Sequence, residues 1–528
     1  MPIASLTGST AGVEEAVVLL LIIAAAVAVV ARRIGVPYTI GLTLVGLAVG
    51  VGAHVENLRL SSDLVFYVFL PVLLFEAAFN LDAAHLRDQW RRILALAVPG
   101  VLVAFGLTAV GVHYLGGMAW SLALLFGALI AATDPVSVVS LFRRLGVSER
   151  LTTLVDAESL FNDGAAAVLF AVVLAVVVDG HQFTAAWAAG KFLWMAAGGL
   201  VVGLVVGYAA SFVHRRLDDH IIEITLSTIV AYGSFLLGQA LGMSGVVACV
   251  TAAIVLGNLG RRRTMSPVTR VTMDTVSEYA AFVANSLIFL LIGLSMHLSL
   301  IGAHVGLVLI AFVVVVAARA AVIYGYGLIS RPFGGGLPLR WQHVLVWGGL
   351  RGTIALALVL SVPAAFAGRQ TLEVVTFGVV LLSLVGQGLT VPWLTRRLGL
   401  AGEEQSVARR RRDALLEGFV SAHEELDRLQ EAGVMPRTER EHLERTIEEQ
   451  EGLLLDGMPP ASDEPAEGEE ERLTERLGAL LAQRRRIEAL RHAGALAGAT
   501  ADELVDEVDR RIALLGDRLA CEREAEDC

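Results

Sequence analysis

Residues 155–170 read "VDAESLFNDGAAAVLF", so Asp156, Glu158 and Asp163 fall within eight residues and run into an apolar stretch. A charge at the centre of a bilayer costs about 2.5–3.5 kcal/mol or more, and carboxylates kept at that depth are functional by default. On a helix, Ser159 and Asp163 stand at i and i+4 and stack on one side, with Glu158 and Asn162 stacked beside them. One face therefore offers a hydroxyl and a carboxylate, hard oxygen ligands suited to a small cation. Asp156, seven residues before Asp163, lies near the mouth of the segment, where a solvated helix-start acid is the plainer expectation and attraction of cations the alternative.

Two further segments put charge where a helix should break. In "AATDPVSVV" (131–139), Pro135 has no N–H and disfavours helix at Asp134. In "WGGLRGTIAL" (347–356), Gly348, Gly349 and Gly352 weaken the helix around Arg351. Unwound backbone at 133–135 would add carbonyl oxygens, and Thr133 could contribute its own. Ordinary Pro and Gly kinks are the bland alternative. Each break, however, carries an ionisable residue, and interrupted helices at matching places mark a midplane site.

The elements that must position these groups are membrane helices. The chain has 528 residues, 55% of them hydrophobic, and a mean hydropathy of +0.67. Soluble globular chains do not sustain that average. Apolar runs recur between residues 15 and 396, many of about 18 residues or more, long enough to cross a ~30 Å hydrocarbon core. We count about thirteen candidate spans, from 15–31 to 371–395, with the first read as a retained helix and not a removed signal peptide. The expected fold class is an all-α polytopic membrane protein: one leading helix, two inverted six-helix repeats and two crossing discontinuous helices.

Arginine fixes the expected orientation. Alternate loops carry Arg32 and Arg33; Arg87, Arg91 and Arg92; Arg143, Arg144 and Arg150; Arg215 and Arg216; Arg261 to Arg263 and Arg270; Arg331 and Arg340. The opposite loops offer little beyond Arg59 and Arg369. By the positive-inside rule the N-terminus is outside and the C-terminal end cytoplasmic, in a multi-pass cell (plasma) membrane protein.

Within that frame Asp163 lies about eleven residues into its span, roughly 16 Å deep at 1.5 Å per residue. Asp134, Arg319 and Arg351 also sit near the middles of theirs. Glu158 and Arg319 can neutralise one another as a structural ion pair, since separating them would strand a charge. That leaves Asp163 free to take either a proton or a cation such as Na⁺, but not to hold both well. Competition for one site is enough for exchange by alternating access. Asn162 cannot titrate, which favours one proton per monovalent cation; its plain alternative is a helix-packing amide. Glu76 is intramembrane and could line a cavity, whereas Glu223, Asp274, Glu278 and Glu373 sit near span ends, where solvation is the default. His214 and the other loop histidines form no metal-ligand spacing, and the three cysteines give no disulfide framework.

Four motifs in order, "TDP" (133–135), "ESLFNDG" (158–164), "FLLIGL" (289–294) and "GGLRG" (348–352), resemble the monovalent cation:proton antiporter-1 family of NhaP-type antiporters and sodium–proton exchangers. "LPVLLFEAAFNLD" (70–82) is similar to that family's third-span motif, and the resemblance covers about residues 12–397. It implies a six-helix core moving against a dimerisation domain in a homodimer. It also implies that Asp163 is the cation and proton site. Thr133, Asp134, Glu158, Ser159 and Asn162 fall on motif positions around it, and Arg319 and Arg351 on the family's two buried arginines. An ND pair implies electroneutral exchange. Na⁺ is the expected ion, Li⁺ or K⁺ the alternatives, and Asp163, Ser159 and Thr133 its expected ligands.

Residues 1–400 are therefore expected to form the transmembrane domain. Residues 401–528 are expected to form a cytoplasmic helical tail, with amphipathic stretches at 415–433 and 471–494, either regulatory or simply solvated. No cofactor and no nucleic-acid partner is expected; the partners are the cation, the proton, the bilayer and a second copy. A channel would need an open path lined by rings of ligands. An intramembrane aspartyl protease would need two carboxylates sharing a proton and lacks its GxGD signature here, so no enzyme is expected. A proton-coupled symporter of an organic solute is the remaining rival.

Overall fold

The computed structural model describes residues 10–34, 37–52, 62–216, 219–260, 267–296, 298–331 and 336–402, with residues 505, 509 and 510. The chain divides into two compact units, one of residues 1–144 and 149–399 and another of 145–148 and 400–528. The stretches expected to be helical at 415–433 and 471–494 lie outside the described residues.

The first unit is all-helical among its described residues. Its α-helices are α1 (Thr10–Ile34), α2 (Tyr38–Gly52), α3 (Leu70–Phe79), α4 (Ala83–Ala95), α5 (Val101–Tyr114), α6 (Trp120–Ile130), α7 (Val136–Leu145), α8 (Glu149–Val177) and α9 (Ala185–His214). They continue with α10 (His220–Ala240), α11 (Gly245–Val255), α12 (Pro267–Ser295), α13 (Leu298–Ala303), α14 (Val305–Ser330), α15 (Leu339–Trp347), α16 (Thr353–Ser361), α17 (Arg369–Leu382) and α18 (Gly388–Arg397). Seven continuous helices among the described residues are long and apolar enough to cross a membrane, including His85–Tyr114, Glu149–Val177 and Arg369–Arg397. Many large apolar side chains face outward, such as Ile22, Leu193, Val205 and Leu328. This is a multi-pass membrane protein, since lipid is the solvent that tolerates such a surface and requires every backbone polar group to be satisfied within the span.

Two of the long helices contain π-helical turns. Leu96–Gly100 joins α4 to α5 and contains Pro99. Proline lacks an N–H for the ladder, and the widened turn absorbs that gap. Ser383–Gln387 joins α17 to α18 and becomes important at the site.

Lipid tails are as apolar as leucine, so helices in a bilayer associate by close packing more than by burial, and small residues let backbones approach. Gly199, Gly203 and Gly207 recur every four residues along α9. A Cβ at these positions would stand 2.6 Å from the Ser244 carbonyl oxygen, 2.5 Å from that of Ala248 and 3.0 Å from that of Ala252 on the α11 side. Gly46 of α2 meets the Leu290 carbonyl of α12 in the same way, and Gly293 of α12 meets the Thr43 carbonyl of α2. Gly203→Leu should therefore force α9 off α11. The expected result is a loss of several degrees in Tm of the detergent-purified protein, since overpacking costs about 1–3 kcal/mol; an unchanged Tm would count against this contact.

Two of the structure's apolar helices are broken. The first runs α6, an unwound stretch at 131–135, then α7; the second runs α15, an unwound stretch at 348–352, then α16. The breaks touch where Asp134 N donates to the Leu350 carbonyl at 2.8 Å. Pro135 and the three glycines account for the loss of helix, and the bond between the two breaks satisfies backbone that would otherwise be orphaned in an apolar interior.

Candidate functional site

The two breaks leave helix ends pointing at one another, and the side chains at the breaks complete them. Arg351 Nη1 donates to the carbonyls of Ile130, Ala131 and Ala132 at 2.5, 2.8 and 3.1 Å. These are the orphan acceptors at the C-terminal end of α6, where a cation also complements the helix dipole. Asp134 Oδ1 accepts from Val136 N at 3.0 Å, capping the first turn of α7. Its other oxygen lies against Gly352, where any Cβ would overlap it. The C-terminal end of α6 and the N-terminal end of α7 thus each meet a side chain of opposite sign. The Arg351 backbone N–H donates to Ser383 Oγ at 3.0 Å, so the π-helical turn of Ser383–Gln387 anchors the second break.

Helix α8 passes this crossing with its polar face inward. Thr133 Oγ1 lies 2.9 Å from Ser159 Oγ, and Asn162 Nδ2 donates to Thr133 Oγ1 at 3.3 Å. Glu158 turns to the other side, where its two oxygens accept from Arg319 Nη1 and Nη2 at 2.6 and 2.8 Å. Arg319 Nε also donates to the Leu345 carbonyl of α15 at 3.3 Å, tying α8, α14 and α15 together. Bidentate pairing of this kind satisfies two charges that could not be buried singly. Thr133, Asp134, Glu158, Ser159, Asn162, Asp163, Arg319 and Arg351 are all buried.

Asp134 and Asp163 are each 8% exposed, and each keeps one buried oxygen with no hydrogen-bond partner, Oδ2 of Asp134 and Oδ1 of Asp163. Asp134 commits its other oxygen to the α7 cap, which leaves Asp163 as the uncommitted carboxylate. It lines a cavity of about 550 Å³, including its open mouth, together with Thr133, Asp134, Asp156, Asn285 and Thr353. Most of that volume is open mouth; the part a water molecule can enter is about 60 Å³, room for a few water-sized groups at about 10–15 Å³ each. The structure brings Thr133, Asp134 and Asp163 to the cavity wall. Ser159 and Asn162 stand behind Thr133, and Glu158, Arg319 and Arg351 are committed to other partners.

Several polar residues depart from expectation. Asp156 is half-buried on the cavity wall rather than solvated at a helix start. Glu76, weighed as a cavity residue, instead accepts from Asn80 Nδ2 at 3.0 Å, and its neighbours Leu73, Leu74 and Ala77 line the cavity. Glu223 is buried, not solvated, and so is His214, whose Nδ1 lies 3.0 Å from the Ala210 carbonyl. Asn285 carried no sequence signal, being one amide in the apolar run "FVANSLIFLL". Among the described residues no group of three or more His, Cys, Asp or Glu side chains could hold a metal ion.

A membrane-embedded carboxylate beside two crossed, interrupted helices defines the class as a secondary-transporter fold. The chain belongs to the sodium/hydrogen exchanger family, whose transmembrane model, described as "Sodium/hydrogen exchanger, transmembrane", matches residues 17–397. It is 40% identical over 374 residues to the low-affinity Na⁺/H⁺ antiporter NhaS1 of Synechocystis, covering 70% of this chain and 71% of that one. It is also 40% identical over 370 residues to the Na⁺/H⁺ antiporter ApNhaP of Aphanothece halophytica, with 70% and 71% covered. The fold matches the sodium proton antiporter MjNhaP1 of Methanocaldococcus jannaschii at pH 8, with a TM-score of 0.62 and 20% identity over 73% of this chain and 98% of that one.

Proposed function

We propose that the protein is a secondary active antiporter that exchanges a monovalent cation, Na⁺ first, for H⁺. One observation carries the mechanism: Asp163 keeps a buried oxygen without a partner on the cavity wall, while the neighbouring Glu158 is neutralised by Arg319. A carboxylate in that position needs a counter-charge, and a proton or a cation supplies it. Na⁺ binds Asp163 with help from the Thr133 oxygen on the cavity wall, and Ser159, whose Oγ lies 2.9 Å from Thr133 Oγ1, joins its shell when that contact opens; Asp134 and Asn162 hold the crossing in register around it. The protein crosses between inward- and outward-open states loaded with either ligand. The empty anion crosses poorly, because it would be carried uncompensated through a low-dielectric barrier. Family membership and the relatives named as Na⁺/H⁺ antiporters support the choice of ions.

The same proposal places residues 1–400 in a transmembrane domain of thirteen spans with inverted six-helix halves, working as a homodimer in the plasma membrane. Its N-terminus lies outside, and residues 401–528 form a cytoplasmic tail. Arg87, Arg143, Arg215 and Arg331 on alternate loops support that orientation.

The test is exchange in proteoliposomes with an acidic lumen and a pH dye inside. Adding Na⁺, Li⁺ or K⁺ outside should alkalinise the lumen, and choline should not. With one titrating carboxylate and a non-titrating Asn162, the stoichiometry is one for one. Initial rates should therefore be unchanged when a membrane potential is imposed with valinomycin and K⁺. Rates that follow the potential would overturn electroneutrality, and no alkalinisation with any cation would overturn antiport itself.

A further inference from the structure

One polar group on the cavity wall has no part in the mechanism so far. Asn285 of α12 is 5% exposed, lines the same cavity as Asp163, and its Oδ1 is buried without a hydrogen-bond partner. Leaving a buried amide oxygen unmatched carries the full penalty of its desolvation. Such a group in an apolar helix is retained when something else fills its coordination. Its neighbours do not supply that something: Phe282 packs on Tyr38 through their rings, and Ala284 and Ile288 are apolar.

The cavity has two kinds of wall. One comes from the crossing and α8, with Thr133, Asp134 and Asp163; the other comes from α3 and α12. On the second wall α3 contributes Leu70, Leu73, Leu74 and Ala77, so among the residues there Asn285 is the polar one. A cation held by Asp163 would otherwise face hydrocarbon on that side. An amide oxygen is a hard, neutral ligand: it replaces a water of hydration without adding a charge and without a proton to exchange.

We propose that the Asn285 carboxamide oxygen is a further ligand for the transported cation, completing its shell from the α3–α12 side of the cavity, and that it tunes affinity and ion preference. The inference rests on the antiport proposed above. Because the amide does not titrate, it acts on the cation alone. Proton binding at Asp163 is left as it is, and the competition between the two ligands is biased toward the cation.

Asn285→Leu keeps the approximate shape and removes the oxygen, whereas Asn285→Asp keeps the oxygen and adds charge. In proteoliposomes, Asn285→Leu should raise the KM for Na⁺ roughly tenfold, the cost of about 1.4 kcal/mol of lost binding. Its rate at saturating Na⁺ should be little changed, the pH of half-maximal rate at a fixed, subsaturating Na⁺ concentration should rise because the proton meets a weaker competitor, and its ratio of Na⁺, Li⁺ and K⁺ affinities should shift. Asn285→Asp should lower the KM for Na⁺. A KM for Na⁺ unchanged in both variants would overturn the proposal. So would an equal fall in maximal rate for every ion with KM intact, which is the mark of a packing amide. If Asn285→Leu does not fold, Asn285→Asp decides alone. Titration calorimetry of Na⁺ into the purified variants is run alongside. Wild type that binds Na⁺ but exchanges no proton defeats antiport, and its Asn285 variants still report on the ligand.

Discussion

Asp163→Asn should abolish cation-driven proton movement in proteoliposomes for Na⁺, Li⁺ and K⁺ alike, while leaving the protein folded. The substitution is nearly isosteric but removes both the negative charge that holds a cation and the group that holds a proton. Losing a buried charge partner is worth about 3–5 kcal/mol, or roughly 150- to 4,000-fold in binding, so residual exchange should fall near the assay floor. Stability should move the other way or not at all. Oδ1 of Asp163 has no hydrogen-bond partner, and replacing a desolvated acid with a neutral amide removes a burial cost. A Tm at or above that of wild type, together with lost exchange, separates function from folding. Full exchange in the variant would move the site elsewhere, with Asp134 and Asp156 as the remaining acids on the cavity wall. Exchange lost together with a collapsed Tm would make Asp163 structural.

Much of this site is legible in sequence because the bilayer makes polar residues conspicuous. Pro135 and the glycines at 348, 349 and 352 announce the two breaks, and counting from the start of α8 puts Asp163 at mid-depth. Two opposite buried charges, Glu158 and Arg319, need each other, and the structure pairs them. What sequence does not carry is the direction of a side chain whose partner is backbone. Arg351 is visible as a charge in a Gly-rich break. Its role as the cap on Ile130, Ala131 and Ala132 depends on a crossing 220 residues away in sequence. The stripe Gly199, Gly203, Gly207 has a helical spacing that could have been noticed, but glycines are frequent in membrane helices and only the approach of α11 gives them meaning. Asp156 fails for a related reason: its position near a span end predicts solvation, whereas the neighbouring helices close a cavity over it. The π-helical turn at Ser383–Gln387 leaves no composition signal at all.

The second large effect is expected at the Glu158–Arg319 pair, and it should fall on stability before transport. The contact is bidentate at 2.6 and 2.8 Å, and the side chains are 1% and 8% exposed. Removing one partner leaves an uncompensated charge in a dry interior, which costs about 3–5 kcal/mol. Glu158→Gln and Arg319→Met should therefore each lower Tm sharply. At 2–4 °C per kcal/mol, as in domains of 150–250 residues, the fall is about 10 °C. The double variant Glu158→Gln, Arg319→Met should regain most of that loss, because replacing both charges with neutral groups of similar volume is often neutral or stabilising. Transport should recover less completely than Tm. Arg319 Nε also holds the Leu345 carbonyl, and its guanidinium lies where a Cβ on Gly349 would meet Nε at 2.9 Å. The pair thus sets the position of the second break as well as its own neutrality. Additive losses in the double variant would show that Glu158 and Arg319 act separately and would reopen Glu158 as a direct cation ligand. Recovery of Tm with turnover still depressed would assign the pair to holding the crossing in place while Asp163 carries the ions.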